Sequence, residues 1–321
     1  RLKKLVSALR FYNMTKILGI VKDGKLIPEE SWVKFVSSLE NDFNNIETNN
    51  ERAKRELAKA IVQSVKKRLA PKTGVLFSGG IDSSLIAFIL KQLKSNFTCY
   101  AVGLEGSDDI LWAQKVVNEY GFNLKYKILS LNEFEDVVKN VVKLLNDADI
   151  VKVSVGSVLY AAGKLALLDG NNVLFGGLGS EEIFAGYQRH ESALQKNNFE
   201  ALHKECWKGL RNMYSRDFVR DFTIAKSLGL DLRTPFLDKD LIKTAMQIHP
   251  MFKLDKDNKK IILREAAELI GLKKEFAWRK KQAAQYGSNF VNGIDKLAKK
   301  NGFKFKKEYL ESILNDIFNI D

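Results

Sequence analysis

Three serines, two glycines and an aspartate crowd into Ser78-Gly79-Gly80-Ile81-Asp82-Ser83-Ser84, a spacing suited to holding an anion. The apolar run Val75-Leu76-Phe77 before it has strand character, and an amphipathic helix is expected from Asp82 to Leu93. That arrangement aims several backbone N–H groups and the positive end of a helix dipole at one spot. Ser78, Ser83 and Ser84 add hydroxyl donors, and Gly79 and Gly80 let a phosphate approach the backbone without meeting a side chain. The string is not a Walker loop, which needs G-x-x-x-x-G-K-[ST]. A purely structural corner would carry the same strand and helix, so other residues must decide.

A second corner stands at Phe175-Gly176-Gly177-Leu178-Gly179-Ser180-Glu181-Glu182. Two carboxylates in the first turn of a helix stabilise it on their own account. Beside a bound polyphosphate, Glu181 can also hold Mg²⁺, with Asp82 as the natural second ligand.

The elements that position these residues alternate strand and helix, the pattern of a parallel sheet covered on both faces. Strands are expected at Gly74–Phe77, Phe97–Val102, Leu124–Ile128 and Asn172–Phe175, with helices at Asp82–Leu93, Asp108–Tyr120, Asn132–Leu145 and Val155–Leu168. Before them, a hairpin is expected over Ile17–Ile27, a helix over Trp32–Leu39, and a lysine-rich helix over Glu51–Leu69. After Glu181 strand signals vanish and helices with short turns follow. The expected organisation is an extension at 1–50, an α/β doubly wound parallel sheet domain at 51–190, and a helical portion at 191–321 that completes the site. Residues 1–13 precede the first methionine, Met14, and are assigned no function.

Ser78-Gly79-Gly80-Ile81-Asp82-Ser83 resembles the pyrophosphate loop of the ATP pyrophosphatases, which split ATP between the α and β phosphates. The chain is similar more specifically to the synthetase half of the asparagine synthetase B family. Tyr100-Ala101-Val102-Gly103-Leu104 resembles its next strand end, and Gly177 to Tyr187 resembles S-G-E-G-S-D-E-x-F-x-G-Y. Asp231 to Asp238 resembles E-x-R-x-P-F-L-D, while Lys260 to Glu265 and Ala277 to Lys281 match two further helical signatures. The resemblance covers roughly residues 52 to 290. It implies ATP and Mg²⁺ as cofactors, and a carboxylate substrate, aspartate foremost, that is adenylated and then attacked by an amine. It places Leu76, Phe77, Val102, Gly176 and Gly177 around the adenosine. Ser78, Gly79, Gly80, Asp82, Ser83 and Ser84 would lie at the phosphates, and Asp82 and Glu181 at the metal. Asp82 and Lys281 carry the catalysis in this reading, Lys281 by reaching the α-phosphate as a mobile point charge.

Three departures qualify the resemblance. Leu178 stands where the family has a glutamate, Glu181 stands for an aspartate, and Ser154 for an arginine in a region associated with the amino-acid substrate. Leucine accepts neither proton nor hydrogen bond. The second corner through Arg189-His190, and Lys281 to Ser288, resemble a subgroup, the asparagine synthetase domain-containing proteins. The family's N-terminal glutaminase, with its leading cysteine, has no counterpart in the roughly seventy residues before the loop. Nitrogen is therefore expected from free ammonia, a separate glutaminase subunit, or glutamine hydrolysis by a different nucleophile.

The two cysteines, Cys99 and Cys206, form no C-x-x-C pair, which argues against a disulfide framework and for a reducing, cytoplasmic compartment. Three histidines and two cysteines without ligand spacing argue against zinc. No apolar run reaches the ~18 residues of a spanning helix, and no membrane partner is expected. The net charge of +13 gathers at Lys66-Lys67-Arg68, Lys273-Lys274, Arg279-Lys280-Lys281 and Lys299 to Lys307. These clusters fit solvated helix faces, an acidic partner subunit, ATP binding and pyrophosphate release, or RNA. A tRNA-modifying ATP pyrophosphatase and a nucleotide-binding subunit without chemistry are thus the alternatives, tRNA being the less favoured partner.

Overall fold

A computed structural model describes residues 20–22, 25–42, 46–195, 198–280 and 283–318. Its centre is a five-stranded, wholly parallel sheet: β3 (Thr73–Leu76), β4 (Phe97–Gly103), β5 (Leu124–Ile128), β6 (Val173–Phe175) and β7 (Asp231–Arg233). A separate antiparallel pair, β1 (Val21–Lys22) and β2 (Lys25–Leu26), forms part of the expected hairpin. The rest of that hairpin, Ile17–Gly19 and the Asp23-Gly24 turn, lies outside the described residues.

The sheet order is β5-β4-β3-β6-β7. The chain therefore moves outward from β3 to β5, returns to the other side of β3 as β6, and continues to β7. Between β3 and β6 the direction of winding reverses, and the crevice beyond the carboxyl ends of such strands is where open α/β sheets bind ligands. Both glycine corners open at that crevice.

Strand composition explains the layering. Val75, Phe77, Cys99 and Ala101 join one core cluster, whereas Leu76 and Val102 join another, so successive residues serve opposite faces. The first face carries α3 (Ile81–Gln92) and α4 (Asp108–Tyr120). The second carries α6 (Ile150–Leu168), with α5 (Leu131–Leu145) packed on it. α6 is 19 residues long and apolar enough to cross a membrane by length and composition, contrary to the sequence reading, yet 56% of its apolar window is buried within the fold. It begins five residues earlier than expected because Asp149 caps it, accepting from the Lys152 N–H at 2.8 Å.

The helices before the sheet are α1 (Glu29–Asn41) and α2 (Asn50–Lys66). After β6 come α7 (Ser180–Ile183), α8 (Gln188–Ala193) and α9 (Phe199–Met213), the last running through a π-helical turn, Tyr214–Phe218, into α10 (Val219–Leu228). Then follow α11 (Lys239–Gln247), α12 (Ile261–Ile270), α13 (Lys274–Ala277), α14 (Ala284–Gly287), α15 (Phe290–Lys300) and α16 (Lys306–Phe318).

β7 corrects the reading that strands end after Glu181. It is three residues long, and its ends are charged, Arg233 pairing with Asp231 at 2.8 Å. A segment so short and polar carries no alternation to detect. It becomes a strand because its backbone completes the ladder on β6, Leu174 standing opposite Leu232.

Candidate active site

At the first corner, Gly79 adopts φ +64°, and a Cβ there would lie 2.7 Å from the backbone carbon of Trp112. Conformation and space both require glycine. Ser107, Ser130 and Asp149 cap α4, α5 and α6 with their own side chains, but α3 starts at Gly80 with no side-chain cap. Its first N–H groups remain available to a ligand. The Ser83 hydroxyl donates to the Gly80 carbonyl at 3.2 Å and lies 3.3 Å from the Ser78 N–H. Ser78 and Ser83 face a cavity of about 770 Å³, within the usual range for small-ligand sites. Ser84 does not: its hydroxyl is fully buried, with no partner among the described residues, and is absent from the cavity wall. This corrects its reading as a phosphate donor.

The second corner arrives beside the first because β6 pairs with β3. A Cβ on Gly177 would sit 2.8 Å from that of Asp82. Ser180 donates to Asp82 at 2.5 Å. Between the corners stands Lys260, whose ammonium lies 2.9 Å from Asp82 and 2.7 Å from Glu181. Burial works against charge on this amine, yet attraction from Asp82 and Glu181 prevails and raises its pKa. Lys260 is only 4% exposed and occupies the left-handed region, φ +58°, at the start of α12. The sequence reading gave it no role beyond membership of a helical signature. Its only signal was a lysine pair at a helix start, which exposed helices also show. Gly186 approaches so closely that a Cβ would fall 1.6 Å from the Glu181 carboxylate.

Leu76, Val102, Val155, Leu159 and Ala162 form an apolar wall, and Gly176 and Gly177 line the cavity as well. Phe77 also touches the cavity, but its ring belongs to the core, edge-on to Phe122 at 6.4 Å. Ser154 is fully buried and donates to the Ile150 carbonyl at 2.6 Å, so it does not face the cavity. From that helix start, Val151, Lys152 and Val155 do. Leu178 is half-buried and lines both this cavity and a small apolar one of about 50 Å³ beneath it.

The far wall is charged. Arg216, on the π-helical turn, meets Glu182 at 2.5 Å and Asp217 at 2.7 Å, and Arg220 meets Asp217 at 3.4 Å. The Tyr187 ring lies under both Arg189, at 3.9 Å, and Arg216, at 5.3 Å. Burial pushes the Glu182 carboxyl up to about 7, the nearby Arg216 opposing it. The second-corner motif contained Glu182, Tyr187 and Arg189, but nothing in the sequence marked Arg216, Asp217 and Arg220, since a π turn has no compositional signature.

Lys281 lies outside the described residues. Its described neighbours flank the cavity: Arg279 donates to the Ser78 carbonyl at 2.7 Å, and Ala283, Ala284 and Gln285 line the wall. Cys99 and Cys206 are free and buried, with burial pushing the Cys206 thiol up to about 11 and Cys99 well above its ordinary value.

The asparagine synthase family matches residues 56–202 and 194–304, spanning both corners, Lys260 and Arg279. The chain belongs to the asparagine synthase family. A putative asparagine synthetase [glutamine-hydrolyzing] of Methanocaldococcus jannaschii is 34% identical over 83% of this chain and 56% of its own length. Asparagine synthetase B of Escherichia coli is 30% identical over 81% of this chain and 49% of its own, and the human enzyme 32% over 83% and 48%. The chain thus spans about half the length of these curated relatives. The matched half is the synthetase half, as the ordered motifs implied.

Proposed function

We propose that this asparagine synthase unit is an ATP- and Mg²⁺-dependent ligase that adenylates a carboxylate, aspartate being the first candidate. A carboxylate oxygen attacks the α-phosphorus, the bond to the bridging oxygen breaks, and pyrophosphate leaves. An amine nitrogen then attacks the acyl carbon, AMP departs and one proton is released. The observation that carries this reading is the Asp82–Lys260–Glu181 cluster beside an uncapped helix N-terminus, inside a cavity large enough for ATP with a second substrate.

The donor set fits magnesium: two carboxylates lie within 3 Å of one nitrogen, and Mg²⁺ takes one or two carboxylates together with phosphate oxygens and water. Asp82 and Glu181 would hold it, and its charge would offset that of the leaving pyrophosphate. Among the described residues no cluster of three or more His, Cys, Asp or Glu side chains could bind a metal without such a ligand. Lys260, already charged, reaches the phosphates by leaving one carboxylate. The apolar wall with Leu76 and Val102 offers a slot for adenine, Gly176 and Gly177 admit the ribose, and Ser78, Gly79, Gly80 and Ser83 meet the phosphates. Lys281 supplies the point charge at the α-phosphate. Neither Cys99 nor Cys206 is exposed as a nucleophile, so on this reading the nitrogen comes from ammonia or from a glutaminase outside the described residues. Two free thiols also suit a reducing cytosol.

Pyrophosphate and AMP release, measured on a panel of carboxylates with and without ammonia, tests the proposal. Equal AMP and pyrophosphate from aspartate plus ammonia is the expected result. Release only with bulk tRNA would move the chain to the tRNA-modifying class, and ATP binding without any release to a nucleotide-binding subunit. Ion pairing of Lys67, Arg68, Lys299, Lys300 and Lys307 with carboxylates weighs against a free basic face for tRNA.

A further inference from the structure

Arg279 is 4% exposed, yet its guanidinium makes contacts on several sides. Nη1 donates to the Ser78 carbonyl at 2.7 Å, and Nη2 donates to Asp108 at 2.8 Å and approaches Asp109 at 3.4 Å. The group also sits 4.8 Å over the Trp112 ring, so the Ser78 carbonyl is fastened to the first turn of α4.

In a trans peptide the C=O and the following N–H point to opposite edges of one plane. Holding the Ser78 oxygen therefore fixes the Gly79 N–H on the edge away from Arg279. Gly79 has φ +64°, and glycine accepts either hand of backbone at little cost, so on the Gly79 side no Cβ opposes rotation of the Ser78–Gly79 peptide. The rotated unit would turn a carbonyl oxygen toward the anion in place of a donor. The loop's own sequence thus leaves its polarity open.

We propose that Arg279 is a positioning residue that locks the Ser78–Gly79 peptide in its donor orientation. The proposal rests on the nucleotide reading of the cavity, and it assigns Arg279 to the phosphate end alone. Lysine cannot replace it, because one ammonium cannot span the carbonyl and Asp108 as a planar fork does.

The test compares binding of magnesium pyrophosphate and of adenosine to wild type, R279A and R279K by calorimetry. Pyrophosphate should weaken about tenfold or more in both variants, the scale of one charge-assisted hydrogen bond, while adenosine stays within about twofold. Low-millimolar guanidinium should restore pyrophosphate binding to R279A. D108N, which removes one brace from a half-exposed position, should show the same pyrophosphate-only loss at smaller size and covers the case of an unfolded R279A. Unchanged pyrophosphate binding, or equal loss of both ligands, overturns the proposal. A wild-type chain that binds neither ligand overturns the nucleotide reading itself.

Discussion

Both glycine corners follow a strand and open a helix, but α3 after β3 runs twelve residues and α7 after β6 only four. The longer helix supplies a substantial dipole and uncapped N–H groups, so its corner presents donors. The shorter one supplies little field and presents carboxylates, Glu181 toward the cavity and Glu182 into the interior. The same motif, strand then glycines then helix, thus presents backbone donors in one place and carboxylates in the other, which in the proposed function would meet an anion and a cation. Helix length and the first-turn side chains decide which. Adjacent strands then set the two against each other, with Lys260 between them.

Breaking the donor corner should give the largest effect. Asp82→Ala removes the carboxylate that both Ser180 and Lys260 contact, and pyrophosphate release should fall on the order of 10²–10³-fold with weakened binding of magnesium ATP. Wild-type turnover in this variant would separate Asp82 from the chemistry.

Lys281→Ala should slow the chemical step about 10²-fold while ATP affinity stays within about threefold, the mark of a contact made in the transition state. Single-turnover kinetics beside equilibrium ATP binding reads both quantities, and retained turnover would refute the role.

The carboxylate corner can be broken without touching a carboxylate. Gly186→Ala places a methyl on the Glu181 carboxylate, so its magnesium dependence should match that of Glu181→Ala, each losing about 10–100-fold in apparent metal affinity. Differing magnesium titrations for the two variants would show that Gly186 acts elsewhere.

A smaller effect lies behind that corner, in the pH dependence of stability. Glu182 titrates at about 7 in the fold, above its ordinary value, because burial disfavours its charge. The native state holds this proton more tightly, so stability is present below about 4.5 and is lost as pH rises through 7. His190 moves the other way: burial first, then Arg189, lowers it to about 3. Its contribution is present above about 6.5 and is lost as pH falls toward 3. Thermal melts from pH 4 to 8 should therefore show Glu182→Gln removing the alkaline-side loss and His190→Gln the acid-side loss. Parallel curves for wild type and both variants would contradict the assignment.

The smallest effect is expected at the thiols. Cys99→Ser and Cys206→Ser should leave ammonia-dependent turnover unchanged, and the chain should release no glutamate from glutamine, because both sulfurs are buried within the core cluster. Glutamate release by the pure chain would require a nucleophile outside these two.

Four of the five sheet strands were legible: Phe97–Gly103 is an apolar run buried on both faces, whereas the exposed edge strand Leu124–Ile128 shows itself by alternating Leu, Tyr and Ile with two lysines. The ordered motifs were equally legible, and they named the family whose match now covers the chain from 56 to 304. Alternation and glycine placement are local properties, so the sequence by itself determined the sheet helices, both corners and the choice of glycine at Gly79. What it could not state was which side chains meet. β7 is a strand only because β6 offers it an edge, and Lys260 reaches Asp82 across 178 residues of chain. Ser84 carries the right chemical group but turns it into the core, a direction fixed by helix phase against the sheet. Tertiary structure decided these points because contact between distant residues depends on strand order and burial, which are properties of the whole fold rather than of any window of sequence.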